Sequence, residues 1–511
     1  MIHIKEEAAR CLLCEDAPCT KVCKTIDPAR AIRAIRFDNE KNVWRWLEGC
    51  TDADLERAEQ ACIHYDRPIR IKELLRAVSC CPGKPKEALP SLAITFCGIP
   101  CENPFFLASS AVCTNYEMVA RAFEMGWAGV FYKTICKQEI REVSPRFDAV
   151  KNGASFAGFR NMEQLSENPY EVDFDILRRL KLNYPTKVVV ASIMGQFEEE
   201  WIELAKMAED AGCDAVELNF SCPQMRLTGM GSDVGQNAEL VTFYTAYVKR
   251  NVNIPVIPKM TPNITQMNQP AMGSFFAGAD AISAINTIKS ITMSPLAAVS
   301  DKLTVSGYSG RAVKPIALRY IYEMASNPIL NGESRKGKSV ELSGIGGIET
   351  WRDALEYIQL GCRNVQVCTA VMEYGYRIID DLILGMQTYL LERQCEKEEG
   401  SNHRIIEHLE DIVGEQLSNI LLPSDLDRDT IVYPKIDQQK CIGCGRCYIS
   451  GRDGGHQAIS FDTCSDLPMG AQQSPTRSPR VIGAKCVGCH LCRLVCPTGA
   501  IGLAKRVSKR H

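Results

Sequence analysis

The sequence has 511 residues, of which 45% are hydrophobic and 24% are charged, and its formal net charge is −3. A chain of this length needs more than one hydrophobic core, so we expect two to four units. The near-neutral charge disfavours a nucleic-acid-binding protein. The sequence starts without a secretory leader pattern, and no apolar run is long enough to span a bilayer. We therefore expect a cytoplasmic protein whose partners include neither nucleic acid nor membrane.

Composition divides the chain into four segments. Residues 1–86 form a cysteine-rich head with helical patterning, and residues 87–395 alternate short apolar runs with amphipathic stretches. Residues 396–434 are charged and form a connector, and residues 435–511 form a cysteine-rich tail. In a reducing compartment, clustered cysteines indicate metal or catalytic sites rather than disulfides. We therefore expect such sites at both ends of the chain.

The alternation in the middle segment predicts a parallel sheet with crossover helices. Eight candidate strands suit a (β/α)8 barrel, and a doubly wound open sheet is the alternative. The candidate strands are Phe106–Ser109, Ala128–Lys133, Lys187–Ile193, Ala215–Asn219, Val256–Lys259, Ala281–Asn286, Val340–Gly344 and Asn364–Val367.

Polar residues at the ends of these strands favour the barrel, because barrel enzymes place their chemistry at the C-terminal strand ends. Lys133 and Lys259 would face one mouth, and an unpaired buried ammonium is costly, so they need an anionic partner. Gly346 and Gly347 follow the seventh strand and Thr369 follows the eighth, as in the phosphate pockets of such barrels. The mouth is therefore predicted to bind a phosphorylated cofactor.

The tail contains two runs of cysteines with the spacing of bacterial two-cluster ferredoxins. They are Cys441-x2-Cys444-x2-Cys447 and Cys486-x2-Cys489-x2-Cys492-x3-Cys496-Pro497. In that pattern the fourth cysteine of each run binds the other cluster. Paired Cys-x2-Cys motifs also bind zinc, but three cysteines at this spacing followed by Cys-Pro favour iron–sulfur clusters.

The first tail run departs from the ferredoxin pattern. Gly451 stands four residues after Cys447, where a cysteine is expected. By the crossover rule, the first run and Cys496 make a complete ligand set, whereas the second run lacks its fourth ligand. Either this cluster has three irons, or Cys464, Asp453 or a water completes it.

The head contains a less diagnostic set of cysteines, for which zinc remains an alternative. The set is Cys11-x2-Cys14-x4-Cys19-x3-Cys23, followed by Cys50, Cys62, Cys80 and Cys81.

Over nearly its whole length the sequence resembles the dihydropyrimidine dehydrogenase family. In the barrel segment the resemblance is carried by short motifs, and the head and tail resemble the family's cluster domains. The motifs include Asn161-Met-Glu163, Glu217-Leu-Asn-Phe-Ser-Cys-Pro223, Lys259-Met-Thr-Pro-Asn263, Asn286-Thr287 and Gln366-Val-Cys-Thr369.

The resemblance implies an FMN site, a pyrimidine site and Cys222 as the proton donor. Amide side chains both donate and accept hydrogen bonds, which suits the edge of a uracil ring. The implied pyrimidine ligands are Asn161, Glu163, Asn219, Asn286 and Thr287. The implied FMN ligands are Ala108, Ser109, Lys133, Thr134, Lys259, Gly310, Gly346, Gly347, Cys368 and Thr369.

The resemblance also implies three clusters, one in the head and two in the tail. Cys11, Cys14, Cys19 and Cys62 would hold a [4Fe–4S] cluster in the head. The tail would hold two more clusters. One of them would be [4Fe–4S], and the other would be either [4Fe–4S] or [3Fe–4S]. A second head cluster around Cys23 is left open, because the glutamine ligand of the family is absent near residues 75–76.

Full-length members of the family carry FAD and NADPH domains between head and barrel, and this chain lacks them. No Gly-x-Gly-x-x-Gly follows a predicted strand. The resemblance therefore implies an oligomer in which an FAD/NAD(P)H flavoprotein subunit or a ferredoxin supplies electrons through the clusters to FMN. The implied reaction interconverts uracil or thymine and their 5,6-dihydro forms. The alternatives are a dihydroorotate dehydrogenase-type enzyme and an electron-transfer subunit without pyrimidine turnover.

Overall fold

The structure is a computed structural model that describes residues 4–79, 88–152, 155–222, 230–293, 303–333, 339–395, 406–463 and 477–509. The chain divides into two compact units, Met1–Ser418 and Asn419–His511. The predicted boundary between head and barrel at residues 86–87 and the predicted start of the connector at residue 396 lie outside the described residues. In the part of the chain described, no helix is long and apolar enough to cross a membrane.

The head is a bundle of short helices around an apolar core. Ile32, Ile35, Leu55 and Leu74 are all buried in this core. Asp27 caps α3 by accepting a hydrogen bond from a backbone N–H of the first turn, which satisfies a donor that the helix leaves free. The helices are α1 Ile4–Ala9, α2 Pro18–Val22, α3 Pro28–Arg36, α4 Glu40–Trp46, α5 Asp52–Gln60 and α6 Ile71–Ser79.

Fourteen strands follow in the described part of the first unit, and eight of them close into a parallel barrel. The strands are β1 Ile94–Phe96, β2 Ile99–Cys101, β3 Phe105–Leu107, β4 Gly129–Phe131, β5 Phe147–Asn152, β6 Ser155–Asn161, β7 Val188–Ile193, β8 Ala215–Asn219, β9 Val256–Lys259, β10 Ala281–Ala284, β11 Ile288–Ser290, β12 Ser306–Ser309, β13 Glu341–Ile345 and β14 Cys362–Val367. Around the barrel the order is β3, β4, β7, β8, β9, β10, β13 and β14, which confirms the predicted (β/α)8 fold and excludes the open sheet.

Two of the predicted strands, β8 and β9, agree with the structure at both ends, whereas others end earlier. Strand β3 ends at Leu107 rather than Ser109, and β10 ends at Ala284 rather than Asn286. The reason is that the polar residues after these strands leave the ladder to line the mouth of the barrel.

Some of the helices that cover the strands begin with polar caps. Thr350 and Asp353 form a capping box at α14, and Asn115 and Asn237 cap α7 and α11. The helices are α7 Tyr116–Glu124, α8 Tyr170–Asn183, α9 Glu198–Asp210, α10 Ser232–Gly235, α11 Ala238–Lys249, α12 Asn268–Phe276, α13 Lys314–Ala325, α14 Trp351–Gln359, α15 Thr369–Tyr374 and α16 Ile378–Cys395. The strands they cover are buried, and in β7 every residue is buried.

An antiparallel sheet that the sequence did not predict is inserted at the mouth of the barrel. Its order is β11-β12-β6-β5, and all its pairs are antiparallel. Asn161 lies at the end of β6, opposite Phe147 on one side and Gly307 on the other. The insertion therefore places Asn161 in a fixed position relative to the barrel strands.

The head packs against α14, α15 and α16 within the first unit. The Arg33 Nε atom lies 2.6 Å from Asp381 Oδ2, and the two side chains are only 11% and 3% exposed. Asn39 donates a hydrogen bond of 2.7 Å to the Asp381 carbonyl, and the Trp351 indole N–H donates one of 3.1 Å to the Asp38 carbonyl. Buried polar contacts therefore fix the head on the barrel.

The described residues of the second unit form two antiparallel strand pairs and two short α-helices. Strand β15 Thr430–Ile436 pairs with β18 Ile501–Ser508, and β16 Ile459–Thr463 pairs with β17 Arg477–Val481. Strand β15 begins inside the segment predicted as connector. Helices α17 Arg446–Gly454 and α18 Leu491–Leu494 each contain the third cysteine of one tail run.

Candidate functional site

A cavity of about 1080 Å³, including the space at its open end, lies at the C-terminal ends of the barrel strands. Every residue predicted to bind FMN or pyrimidine lines it, and so does Cys222. The structure therefore brings the whole predicted set together. These residues are Ala108, Ser109, Lys133, Thr134, Asn161, Glu163, Asn219, Lys259, Asn286, Thr287, Gly310, Gly346, Gly347, Cys368 and Thr369.

A network of hydroxyl and amide groups orients the predicted ligands across the barrel. Asn219 donates a hydrogen bond of 2.9 Å to Thr134 Oγ1 and accepts one of 2.8 Å from the Ser221 hydroxyl. Ser221 Oγ in turn accepts a hydrogen bond of 2.8 Å from the Asn286 amide. Thr134 also lies within hydrogen-bond distance, 3.0 Å, of Ser109 Oγ. Both asparagines are therefore held in fixed orientations.

Each of the two lysines in the cavity pairs with a carboxylate of the chain itself. Lys133 Nζ lies 3.0 Å from Glu163 Oε2, and Lys259 Nζ lies 3.5 Å from Glu217 Oε1. Arg146 lies 3.6 Å from the other oxygen of Glu163. The anionic partners expected for the two lysines are therefore carboxylates of the chain itself, Glu163 and Glu217.

A group of glycines forms a tight cradle at the side of the cavity. Gly310 has φ +114, and a Cβ there would lie 2.7 Å from the Gly158 Cα. Gly347 has φ +68, and a Cβ there would lie 2.9 Å from the Gly310 carbonyl oxygen. Nearby, Thr369 Oγ1 donates a hydrogen bond of 3.0 Å to Ser309 Oγ. Only glycine fits at these positions, so the backbone itself can approach a bound group closely.

The predicted cluster cysteines surround three smaller cavities with mostly apolar walls. No group of three or more His, Cys, Asp or Glu that could hold a metal ion is found among the residues described, so the cysteines enclose space rather than meet at a point. The cavity in the head, of about 380 Å³, is lined by Cys11, Cys14, Cys19 and Cys62. The first cavity in the tail, of about 330 Å³, is lined by Cys441, Cys444, Cys447 and Cys496. The second cavity in the tail, of about 320 Å³, is lined by Cys486, Cys489 and Cys492.

Burial keeps two of the cysteines that line these cavities in the neutral thiol form when no metal is bound. Burial raises the pKa of Cys19 to about 11 and that of Cys447 to about 11. The thiolate form, which binds metal, therefore needs a nearby positive charge. The grouping of thiols around enclosed space fits iron–sulfur clusters, which fill more volume than a single ion. Cys23 and Cys50 lie instead in the apolar core of the head, and Cys80, Cys81 and Cys464 lie outside the described residues.

Two family models match the chain. Residues 91–390 match the dihydroorotate dehydrogenase family, and residues 434–503 match the 4Fe-4S dicluster domain. The chain is 48% identical over 431 residues to the NAD-dependent dihydropyrimidine dehydrogenase subunit PreA of Escherichia coli (strain K12), which covers 82% of this chain and 98% of that protein. The chain belongs to the dihydropyrimidine dehydrogenase family.

Two further relatives share the barrel of this family. The chloroplastic dihydropyrimidine dehydrogenase (NADP(+)) of Arabidopsis thaliana is 37% identical over 320 residues, which are 60% of this chain and 74% of that protein. The catalytic subunit of dihydroorotate dehydrogenase B (NAD(+)) of Pyrococcus abyssi is 35% identical over 308 residues, 59% of this chain and 94% of that protein. The family confirms an oxidoreductase with FMN implied by its barrel and iron–sulfur clusters implied by its dicluster domain.

The residues of the barrel cavity fit a phosphorylated flavin. Gly310, Gly346 and Gly347 leave backbone without side chains in the cavity wall, and Lys133 and Lys259 contribute ammonium groups whose charge Glu163 and Glu217 balance. Gln366 Oε1 also lines the site and is buried without a hydrogen-bond partner, which would cost free energy unless a bound group supplied an N–H. The sequence analysis assigned Gln366 no role. Successive side chains of a strand point to opposite faces, so the position of Gln366 on β14 could have indicated that it faces the interior of the barrel.

Cys222 lies in the wall of the cavity and is 5% exposed. Its carbonyl accepts a hydrogen bond of 2.9 Å from the Ser232 backbone N–H at the start of α10. This contact fixes the backbone of Cys222 close to Asn219, the predicted pyrimidine ligand that precedes it by three positions in the sequence. The motif continues through residues 223–229, which lie outside the described ranges.

Glu349 is a cavity residue that sequence reasoning missed. Burial raises its pKa to about 7, the Glu373 carboxylate adds to the rise, and the Arg311 guanidinium at 3.0 Å opposes it. Nothing in its sequence setting indicated this, because the burial arises from tertiary packing.

Proposed function

We propose that this chain interconverts uracil or thymine and their 5,6-dihydro forms, with electrons relayed from a partner through iron–sulfur clusters to FMN. The observation that carries the proposal is the single cavity in which amide side chains, a cysteine and a flavin-type cradle meet. Two relatives named as dihydropyrimidine dehydrogenases support it.

Asn161, Asn219 and Asn286 would recognise the edge of the pyrimidine. A uracil edge alternates N–H and C=O groups, and each amide can both donate and accept. Because Ser221 fixes the orientation of two of them, the donors and acceptors are arranged before substrate binds. Glu163, oriented by Lys133 and Arg146, would accept a hydrogen bond from a ring N–H.

Cys222 would supply the proton in the direction of reduction. When bound, the flavin would supply the hydride to one carbon of the 5,6 double bond. A thiol has a reference pKa near 8.5, so it is mostly protonated at neutral pH and can still release its proton to the neighbouring carbon. The burial of Cys222 keeps bulk water from competing as the donor.

We further propose one cluster in the head, held by Cys11, Cys14, Cys19 and Cys62, and two in the tail. The apolar walls and cysteine linings of the three small cavities support this number. Within an oligomer, an FAD/NAD(P)H flavoprotein subunit or a ferredoxin would supply electrons to these clusters. The E. coli relative supports this, because it is named as a subunit of an NAD-dependent enzyme. The abundance of thiols suits a reducing compartment such as the cytoplasm.

Anaerobic turnover with a chemical one-electron donor tests the proposal. The holoenzyme should reduce uracil or thymine, and flavin, iron and sulfide counts on the same sample should match one FMN and three clusters. Dihydroorotate oxidation is the second candidate, favoured by the Pyrococcus relative. Turnover of dihydroorotate without turnover of uracil or thymine would establish that activity instead. Absence of FMN would favour an electron-transfer subunit.

A further inference from the structure

The two cysteine-lined cavities of the tail are built as a matched pair. Cys496 lies four residues after Cys492 and lines the first cavity, together with the first run of cysteines. Gly451 lies four residues after Cys447 and lines the second cavity, together with the second run. Gly451 therefore occupies the position in the second cavity that corresponds to Cys496 in the first.

The described lining of the second cavity offers no evident replacement for the missing thiolate. Besides its three cysteines, His490 is the one residue of that described lining with a metal-binding side-chain atom. His490 directly follows Cys489, and Gly445 directly follows Cys444 in the first run. Both have left-handed backbones, with φ 57 and φ 72, so His490 corresponds to a loop position that carries no ligand in the matched cavity.

Asp453 is also placed unfavourably for binding iron. Its two carboxylate oxygens accept hydrogen bonds of 2.7 and 2.9 Å from Arg452, and its side chain is 59% exposed. It does not belong to the described lining of the cavity.

Steric exclusion does not explain the glycine. A Cβ built at Gly451 would lie 3.3 Å from Ile459 Cγ1 and 3.5 Å from Ile459 Cβ. A shift of Ile459 Cγ1 by a few tenths of an ångström therefore makes room for a Cβ at this position.

We propose that Cys486, Cys489 and Cys492 alone hold the second tail cluster, and that its iron facing Gly451 binds a small exogenous donor such as hydroxide or a thiolate. This iron is exchangeable, because no side chain of the described cavity lining other than the three cysteines retains it. His490 Nδ1 is buried and has no hydrogen-bond partner in the described structure, so His490 is the rival fourth ligand that the variants below test. The proposal rests on the iron–sulfur assignment of the tail and is independent of pyrimidine turnover.

Controlled oxidation of the full-length holoprotein tests this inference. Ferricyanide should take one electron while one Fe²⁺ leaves for a chelator, so that one [4Fe–4S]²⁺ core per chain becomes [3Fe–4S]⁺. EPR spectroscopy and chelator absorbance measure the two products. After reduction, added ⁵⁷Fe²⁺ should refill one site, and 2-mercaptoethanol should change the Mössbauer spectrum of that site alone. Wild-type protein that releases no iron, or that takes ⁵⁷Fe into several sites equally, would overturn the proposal.

Variants at the two matched positions provide the controls. Gly451→Cys should abolish iron release and the response to the thiol, whereas Gly451→Ala, which adds a Cβ without sulfur, should behave as wild type. Cys496→Ser should create a second exchangeable iron. His490→Ala and Cys464→Ala should leave the single exchangeable iron unchanged. If wild type retains its iron and either variant loses it, that residue is the fourth ligand and the proposal is wrong.

Discussion

The barrel cavity and the cysteine-lined cavities differ in how their polar groups are compensated. In the barrel, Lys133 and Lys259 already face carboxylates, and Asn219 and Asn286 share the hydroxyl of Ser221. In the tail, the buried apolar cluster found among the described residues consists of Cys447, Ile459, Cys492 and Ile501, so half of it is thiol-bearing.

This difference indicates which site keeps its shape without its cofactor. The barrel site is held by hydrogen bonds and ion pairs within a large core. The tail has little apolar surface to bury, and small domains of this kind commonly depend on metal for stability. We therefore expect the barrel to be preorganised and the tail to be organised by iron.

The largest expected effect is the loss of tail structure when iron is removed. Chelation under reducing conditions should lower hydrogen-exchange protection in β15 and β18 by orders of magnitude, because folding there is coupled to metal binding. Strands β7 and β9 of the barrel serve as the internal control and should keep their protection. Equal protection of the tail before and after chelation would remove the distinction between the two regions.

Replacement of Cys222 should affect chemistry without affecting the shape of the barrel site. Cys222→Ala should lower kcat for uracil reduction by about 10²–10⁴-fold, the usual contribution of a positioned acid. Flavin content and cluster spectra should remain as in wild type. Undiminished turnover would remove Cys222 from the mechanism.

Breaking an ion pair of the barrel should cost stability. Lys259→Met leaves the fully buried Glu217 without its cation, and loss of one partner of a buried pair costs about 3–5 kcal/mol of unfolding free energy. Urea unfolding followed by tryptophan fluorescence measures this loss. The double variant Lys259→Met/Glu217→Gln should recover most of it. A double variant as unstable as the single one would show that the pair does not organise the site.

Glu349 should give the smallest effect and a defined pH dependence. Its folded pKa of about 7 lies above the ordinary 4.5, so its carboxylate destabilises the fold above pH 7, and stability rises as pH falls from 7 towards 4.5. Glu349→Gln should add about 1–3 kcal/mol at pH 8 and flatten the profile in that window. Thermal unfolding of the wild type and of Glu349→Gln across pH 4.5–8 measures the gain in stability and the flatter profile. Parallel pH profiles of the two proteins would contradict a raised pKa for Glu349.

The sequence predicted the positions of the barrel strands well because they are buried on both faces. Strand β9 is a short apolar run that ends at a lysine, and both its limits agree with the structure. The strand positions also predicted that the ligands share one cavity, because the parallel strands of a barrel all end at the same side and the ligands follow the strand ends.

Features that depend on tertiary packing could not be predicted. The pairing of Lys259 with Glu217 joins neighbouring strands, and the rise in the pKa of Glu349 comes from burial in the folded chain. The sheet of β5, β6, β11 and β12 is built from two insertions that are distant in the sequence. Their short strands show no clear alternation of apolar and polar residues. The missing ligand at Gly451, in contrast, was visible from spacing alone, and the structure added which cavity it faces.

The contact between Arg33 and Asp381 has a consequence for protein engineering. Cutting the chain ahead of the barrel would strip a buried carboxylate of its guanidinium and leave the Trp351 indole N–H without its acceptor. An isolated barrel would therefore aggregate or need compensating substitutions on α14 and α16. A chimera that exchanges the first segment for that of a relative would have to transplant this docking surface with it.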